Sequence, residues 1–261
     1  MSKLRLAVQL QPQHADYGSI RRAAARAEEH GADILYNWDH FFPLSGDRHG
    51  KHFECWTMLG AWAEATGRVE IGALVTCNSY RNPHLLADMA RTVDHISGGR
   101  LILGIGAGWH AKDYAEYGYE FGTPGDRLRA LRRDLPLIKK RWASLNPSPT
   151  RQIPVLIGGG GEKVTLRIVA EHADAWHCYG RPHRLAHKLG VLREHCAAVG
   201  RDYEEIEKST GVDYQGAGGM ATGDALYDLG FRQITFQVGS PYDLGFLPEW
   251  RAWADDKNRR S

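Results

Sequence analysis

Eight short strand-like runs punctuate this chain, and segments with a helical period lie between them. The runs cover residues 4–11, 33–38, 69–76, 101–105, 154–157, 175–177, 206–211 and 232–238. Each has the length of a short strand. The intervening segments repeat at steps of three and four. Ile20, Ala23, Ala24 and Ala27 mark the first helix, and Leu85, Leu86, Met89, Val93 and Ile96 the third. Leu128, Leu131, Leu135, Ile138 and Trp142 form a later stripe, as do Leu185, Leu189, Leu192, Cys196 and Val199. Eight strands alternating with helices in 261 residues is the arithmetic of an α/β fold of the (β/α)8 TIM-barrel type. A doubly wound open sheet is the alternative.

One domain spanning 1–261 is expected. Asn146-Pro147-Ser148-Pro149 is a stiff connector, too short to divide domains. The polar stretch 255–261 is expected to fray. A net charge of +2 provides no field to steer nucleic acid or a membrane surface, so neither is expected as a partner. The basic residues Arg127, Arg129, Arg132, Arg133, Lys139, Lys140 and Arg141 read as the solvated face of an amphipathic helix. The four cysteines (Cys55, Cys77, Cys178, Cys196) show no paired spacing and are expected to be reduced, in a cytoplasmic protein without a signal peptide. No apolar stretch is long enough to span a bilayer.

The chemistry is expected at the C-terminal ends of the strands. The fifth run leads into Gly158, Gly159, Gly160 and Gly161, after which a helix begins with Val164, Ile168 and Val169 on one face. Strand, glycine turn and helix start suit an anion, because closely approaching N–H groups and the helix dipole favour negative charge. It is not a Walker A loop, since Lys163 does not adjoin Gly161 and Val164 stands where a hydroxyl is needed. The other strand ends carry Gln9 and Gln11, Trp38-Asp39-His40, Thr76-Cys77-Asn78, Ala107-Gly108-Trp109-His110 and Trp176-His177. That rim is rich in aromatic rings, glycine and histidine and poor in paired carboxylates. A flat aromatic ligand with a phosphate tail fits it better than a sugar or a metal, and no metal site is expected. Bland roles compete: Asp39 as a helix cap, His40 as a structural hydrogen-bonding group, Cys77 as a buried thiol, and Trp56, Leu59 and Ala63 as core. Gly104-Ile105-Gly106-Ala107-Gly108 lacks the third glycine of a dinucleotide fingerprint, because Trp109 occupies its place.

Five blocks occur together and in order: Trp38-Asp39-His40, Arg68-Val69-Glu70-Ile71-Gly72, Tyr80-Arg81-Asn82-Pro83, the segment from Asp94 through Ser97-Gly98-Gly99-Arg100-Leu101 to Trp109, and Ile157-Gly158-Gly159-Gly160-Gly161-Glu162. In these the chain resembles the luciferase-like monooxygenase superfamily, in its branch of oxidoreductases dependent on coenzyme F420. The resemblance implies a TIM barrel that binds a deazaflavin, forms a homodimer, and transfers a hydride between the deazaflavin C5 and a small organic substrate. It makes His40 the catalytic residue beside the reacting carbon and Asp39 a contact of the ring edge. It implies a non-proline cis peptide at Leu74-Val75 behind the ring, with Thr76, Ala107 and Gly108 as further ring contacts. Gly158, Gly159, Gly160 and Gly161 then take the cofactor phosphate, supported by Glu162, Lys163 and Thr165. Gln9, Gln11, Trp109, His110 and His177 are the substrate-wall residues suggested by the rim.

The chain departs from relatives that reduce sugar phosphates. They carry an acid where Trp109 stands, and many relatives have asparagine at the place of His110. The connection before the fifth strand is short, where longer relatives wall the substrate pocket. Three other readings remain: an FMN-dependent monooxygenase of the same superfamily, a cofactor-binding barrel without catalysis, and a phosphate-binding isomerase or aldolase. The last lacks a convincing Schiff-base lysine or Glu/His pair at its strand ends.

Overall fold

The computed structural model describes residues 3–214 and 219–260. Its strands, β1 (Arg5–Leu10), β2 (Ile34–Asn37), β3 (Glu70–Ala73), β4 (Thr76–Cys77), β5 (Leu101–Gly106), β6 (Val155–Gly158), β7 (Ala175–His177), β8 (Glu207–Gly211) and β9 (Gln233–Val238), are all parallel. They run in the order β3-β2-β1-β9-β8-β7-β6-β5-β4, and an additional β3–β5 pairing closes the sheet into a barrel. β3 and β4 are two halves of one barrel strand. β3 pairs with the start of β5 through Ile71 and Leu101, and β4 with its end through Thr76 and Ile105. The eight runs therefore become the eight staves of a (β/α)8 barrel.

The break in the third stave sets the shape of the interior. The Leu74-Val75 peptide is cis, and both side chains join the inner cluster of Ala7, Ile34, Tyr36, Ile102, Leu156 and Ala175. β5 makes room for this bulge by having glycine opposite it. A Cβ at Gly104 would lie 1.9 Å from the Ala73 carbonyl oxygen, closer than any side chain can come. The glycine spacing that resembles half of a dinucleotide fingerprint thus serves a neighbouring backbone. Lower in the barrel, Arg5 pairs with both Glu207 and Glu70, and Gln233 donates to the Tyr36 hydroxyl at 3.2 Å.

The helices are α1 (Tyr17–Glu29), α2 (Cys55–Ala65), α3 (Pro83–Ser97), α4 (Ala111–Tyr117), α5 (Pro124–Ser144), α6 (Thr165–His172), α7 (Pro182–Val199), α8 (Gly219–Asp228) and α9 (Leu247–Arg260). They form an outer layer whose core includes Trp62, Leu131, Leu135, Ile138, Leu185, Leu189 and Trp176. Trp56, Leu59 and Ala63 belong to it as ordinary packing residues. Their ends follow local chemistry. Asp16 caps α1 by accepting from Ser19 N, Asn82 caps α3 ahead of Pro83, and Thr123 and Asp126 form a reciprocal capping box on α5.

Three expectations are corrected. α3 buries Leu86, Ala87, Ala90 and Val93 and leaves Leu85 and Ile96 exposed, because its small residues turn toward α5, where Trp142 Nε1 donates to the Ala87 carbonyl at 3.0 Å. Arg127 is buried rather than solvated. Its guanidinium stacks on Phe121 at 3.9 Å and donates to the carbonyls of Gly108, Phe121 and Gly122. The C-terminal stretch is helical through Arg260, where Asn258 bonds both the amide and the carbonyl of Leu4, at 2.7 and 3.0 Å; Ser261 lies outside the described residues. Among the described residues no helix is long and apolar enough to cross a membrane.

Candidate active site

The strand ends surround a cavity of about 410 Å³, within the range of small-molecule sites. Its floor is the Leu74-Val75 bulge and its walls come from four directions: Asp39 and His40 after β2, Thr76 and Cys77 of β4, Gly108 and Trp109 after β5, and Gly158, Gly159 and Gly160 after β6. His177, Cys178 and Tyr179 complete the wall at the end of β7.

Asp39 is buried and caps no helix. Its Oδ2 accepts from the Cys77 amide at 2.9 Å, tying the second stave to the third, and Arg81 grips both carboxylate oxygens at 2.6 and 3.0 Å. A two-pronged guanidinium–carboxylate pair of this kind neutralises the charge and fixes its orientation. Arg81 also reaches Glu54, which caps α2.

His40 stands beside this pair. Its Nδ1 lies 2.6 Å from Oδ2 of Asp113, a fully buried carboxylate in the first turn of α4. The rings of Trp109 and His110 approach His40 edge-on at 5.6 and 5.4 Å. Below it, Phe41 stacks on Tyr117 at 3.9 Å, and Tyr80, Tyr114, Tyr119 and Phe121 continue the aromatic packing that seats α4. Trp38 Nε1 donates to His52 Nε2 at 3.0 Å, which requires that nitrogen to carry a lone pair; burial pushes the His52 ring down to about 4.

Two buried polar atoms belonging to cavity residues have no protein partner: Thr76 Oγ1 and His177 Nε2. His177 is held through Nδ1 by the Ser209 hydroxyl at 2.8 Å, and burial pushes it down to about 3, so the ring is neutral. Buried polar groups in a folded protein are nearly always satisfied, so this unpartnered pair marks where a polar ligand edge belongs. Cys77 is inert by comparison: burial pushes its thiol up to about 11, and Sγ rests 3.2 Å from the Tyr114 hydroxyl.

The glycine loop is braced from behind. The Gly159 amide donates to the His177 carbonyl, Trp176 Nε1 donates to the Gly159 carbonyl at 2.8 Å, and Lys188 Nζ donates to the Gly160 carbonyl. Gly159 has φ +132°, open to glycine alone, and a Cβ there would meet the Thr165 methyl at 3.2 Å. The amides of Gly160 and Gly161 have no protein acceptor among the described residues, and Val164 supplies no side-chain cap to α6. Glu162 pairs with Lys188 and His187 outside the loop, Thr165 is buried beneath it, and Lys163 is exposed. Beyond Tyr179, Arg181, Arg184 and Lys188 line a second, basic groove.

The structure thus places Asp39, His40, Leu74, Val75, Thr76, Gly108, Gly158, Gly159, Gly160, Trp109 and His177 around one cavity. Five other expected residues stand off its wall. Gln9 does point into the barrel, but the bulge covers it: its Nε2 donates to the Leu74 carbonyl at 2.7 Å and its Oε1 accepts from Gln237. Gln11 lies at the seam with β9, where a Cβ on Gly239 would come within 2.8 Å of its Oε1. Ala107 packs toward the outer core, and Gly161 leans on Thr165. His110 touches His40 and Trp109 as the residue preceding α4 without lining the cavity. Among the described residues no cluster of side chains could hold a metal ion.

Sequence reasoning missed Asp113 and the role of Arg81. An aspartate in a helix's first turn is ordinary, and nothing local marks Asp113 as the partner of a histidine 73 positions earlier. Arg81 stood in view inside the Tyr80-Arg81-Asn82-Pro83 block but with no assigned partner.

The family model described as luciferase-like monooxygenase matches residues 2–214. An uncharacterized protein of Mycobacterium tuberculosis is 28% identical over 221 residues, covering 72% of this chain and 77% of that one. The F420-dependent glucose-6-phosphate dehydrogenase of Amycolatopsis mediterranei is 32% identical over 174 residues, which is 59% of this chain and 51% of that protein. Among solved structures, an F420-dependent secondary alcohol dehydrogenase in complex with an F420-acetone adduct superimposes with a TM-score of 0.83 at 17% identity, covering 96% of this chain and 98% of that one.

Proposed function

Because the chain belongs to the luciferase-like monooxygenase family, we propose that it is a coenzyme F420-dependent oxidoreductase that moves a hydride between the deazaflavin C5 and a small, uncharged alcohol or carbonyl compound. The cavity supports this reading. A flat apolar floor at Leu74-Val75, two unpartnered polar atoms at Thr76 and His177, and a glycine loop with open amides suit a planar ring with a polar edge and a phosphate. F420 is expected because relatives carrying that cofactor in their names reach 32% identity with this chain. When bound, it supplies a two-electron hydride couple that reacts poorly with oxygen.

The protein's part is orientation and proton handling. The bulge and the β4 residues seat the ring, and the Arg81–Asp39 pair presents a neutralised carboxylate beside it. His40, with Nδ1 engaged, has Nε2 left to give a proton to the substrate oxygen or take one away. Among the described residues no lysine or arginine lines this cavity, and the Arg81 guanidinium is committed to Asp39 and Glu54. A sugar phosphate would find no lysine or arginine on this wall, which favours an uncharged substrate packed against Trp109. We expect the enzyme to act as a cytoplasmic homodimer, with the exposed Leu85 and Ile96 of α3 available for burial.

The test is a fluorescence titration with F420 and, separately, FMN, followed by a screen of small alcohols and ketones with F420. F420 binding with turnover of an uncharged substrate is the expected result. Tight FMN binding with none of F420 would instead establish the monooxygenase reading that the family description favours. Unchanged turnover in His40→Ala would remove His40 from the chemistry.

A further inference from the structure

We propose that Asp113 is the positioning residue of this site, fixing the His40 ring through Nδ1 so that Nε2 is the atom that exchanges the substrate proton. This rests on the oxidoreductase reading above. An aspartate in the first turn of a helix normally faces water and complements the dipole. Asp113 instead has no exposed side-chain surface. The hydrogen bonds to its carboxylate come from His40 Nδ1 at 2.6 Å, the Tyr80 hydroxyl at 3.1 Å and the Phe41 amide at 3.4 Å. None of these donors is a lysine or arginine. A buried carboxylate is costly without a cation, and His40 is the partner able to become one.

The balance of groups around the pair supports this assignment. Burial alone would raise the Asp113 carboxyl, but the His40 and Tyr80 bonds outweigh it and hold the group below the usual carboxylate range. The other titratable groups that bear on the pair are His110 and Lys112 at the start of α4, Arg48 and His52 from the segment before α2, Tyr80, Tyr114 and Cys77 of the packing beneath, and Asp39. Burial lowers both His110 and His52, and Arg81 neutralises Asp39. Asp113 is therefore the charge available to stabilise an imidazolium at His40. In the oxidative direction the substrate C–H bond breaks with its electron pair going to the cofactor. The hydroxyl proton passes to His40 Nε2 as the C=O bond forms, and the carboxylate stays ionised beside the new imidazolium. Reduction runs the same steps backward.

Long-range proton–nitrogen NMR of the histidine rings in the purified protein tests this without any substrate. Neutral His40 should carry its proton on Nδ1. In Asp113→Asn the ring should lose that fixed tautomer, because the amide can donate to Nδ1 as well as accept from it. Turnover with F420 should show kcat falling about tenfold or more, as expected when a catalytic histidine is left in the wrong tautomer. F420 affinity and substrate KM should stay within about threefold, since Asp113 touches neither. An Nε2–H tautomer in the wild-type protein would overturn the proposal whether or not the variant folds. So would a variant whose His40 tautomer is unchanged. Failure of F420 to bind would overturn the oxidoreductase reading and leave the NMR result to decide the positioning role.

Discussion

Replacing Arg81 with methionine isolates the ion pair that seats Asp39. Methionine keeps much of the apolar stem and removes the fork that grips Asp39 at 2.6 and 3.0 Å. The Asp39 side chain is 1% exposed and that of Arg81 10%, so water screens the pair little. Unit charges about 4 Å apart interact by about 4 kcal/mol at an effective dielectric of about 20. Stranding one partner of a buried pair costs about 3–5 kcal/mol. Arg81→Met should therefore lose about 3–4 kcal/mol in urea unfolding at pH 7 with an unchanged m-value. Asp39→Asn in the same background should recover much of the loss, giving a coupling of about 2 kcal/mol or more in the double-mutant cycle. The Glu54 contact of Arg81 is an exposed bridge worth less than about 1 kcal/mol, so Glu54→Ala measures that remainder together with the α2 cap. Additive single and double variants, or a loss below about 1 kcal/mol for Arg81→Met, would refute the reasoning.

Two further substitutions probe the remaining walls. Gly159→Asp puts a side chain where φ is +132° and a charge beside the open amides. F420 affinity should drop at least about tenfold by fluorescence titration, as expected for an anion set against a phosphate, and an unchanged affinity would mean that the loop does not hold the cofactor. His177→Asn tests the neutral ring. Burial holds the folded-state value at about 3, well below the ordinary histidine value of about 6.5, so the unfolded chain takes up the proton first. Stability is therefore undiminished by His177 above about pH 6.5 and falls by about 1.4 kcal/mol per pH unit as the pH drops below that, until the folded ring protonates near 3. Between pH 5.5 and 4.5 the variant should lose less stability than the wild type by about that amount, and parallel pH profiles would show that the ring is not held neutral.

Most staves were legible because a strand buried on both faces is apolar along its length and helices alternate with them; β8 (Glu207–Gly211) is polar and lacks that signal. Burial on a helix was less legible where small residues do the packing. α3 turns Ala87 and Ala90 inward, so the large Leu85 and Ile96 gave a misleading face. The glycine loop and the Asp39-His40 turn could be found because their residue types carry local signals. Gln9 shows the limit of parity arguments. Its inward direction was readable, but the Leu74 carbonyl that lands on it comes from 65 positions away. Asp113 and Arg127 escaped for a related reason: charged residues on helices look solvated until tertiary contacts bury them.

The broken third stave divides the barrel into two tiers with different tolerance for change. Beneath the Leu74-Val75 bulge, Tyr36, Ile102 and Leu156 fill the interior, and any altered volume is felt as lost packing. Above it, Trp109 is 65% exposed and Tyr179 51%, and neither belongs to the core clusters. Substitution there changes what the mouth admits at little cost to folding. Selection can thus work on the upper tier nearly independently of the lower one, so this barrel can acquire new substrates by exchanging rim residues while its cofactor seat and its stability stay in place.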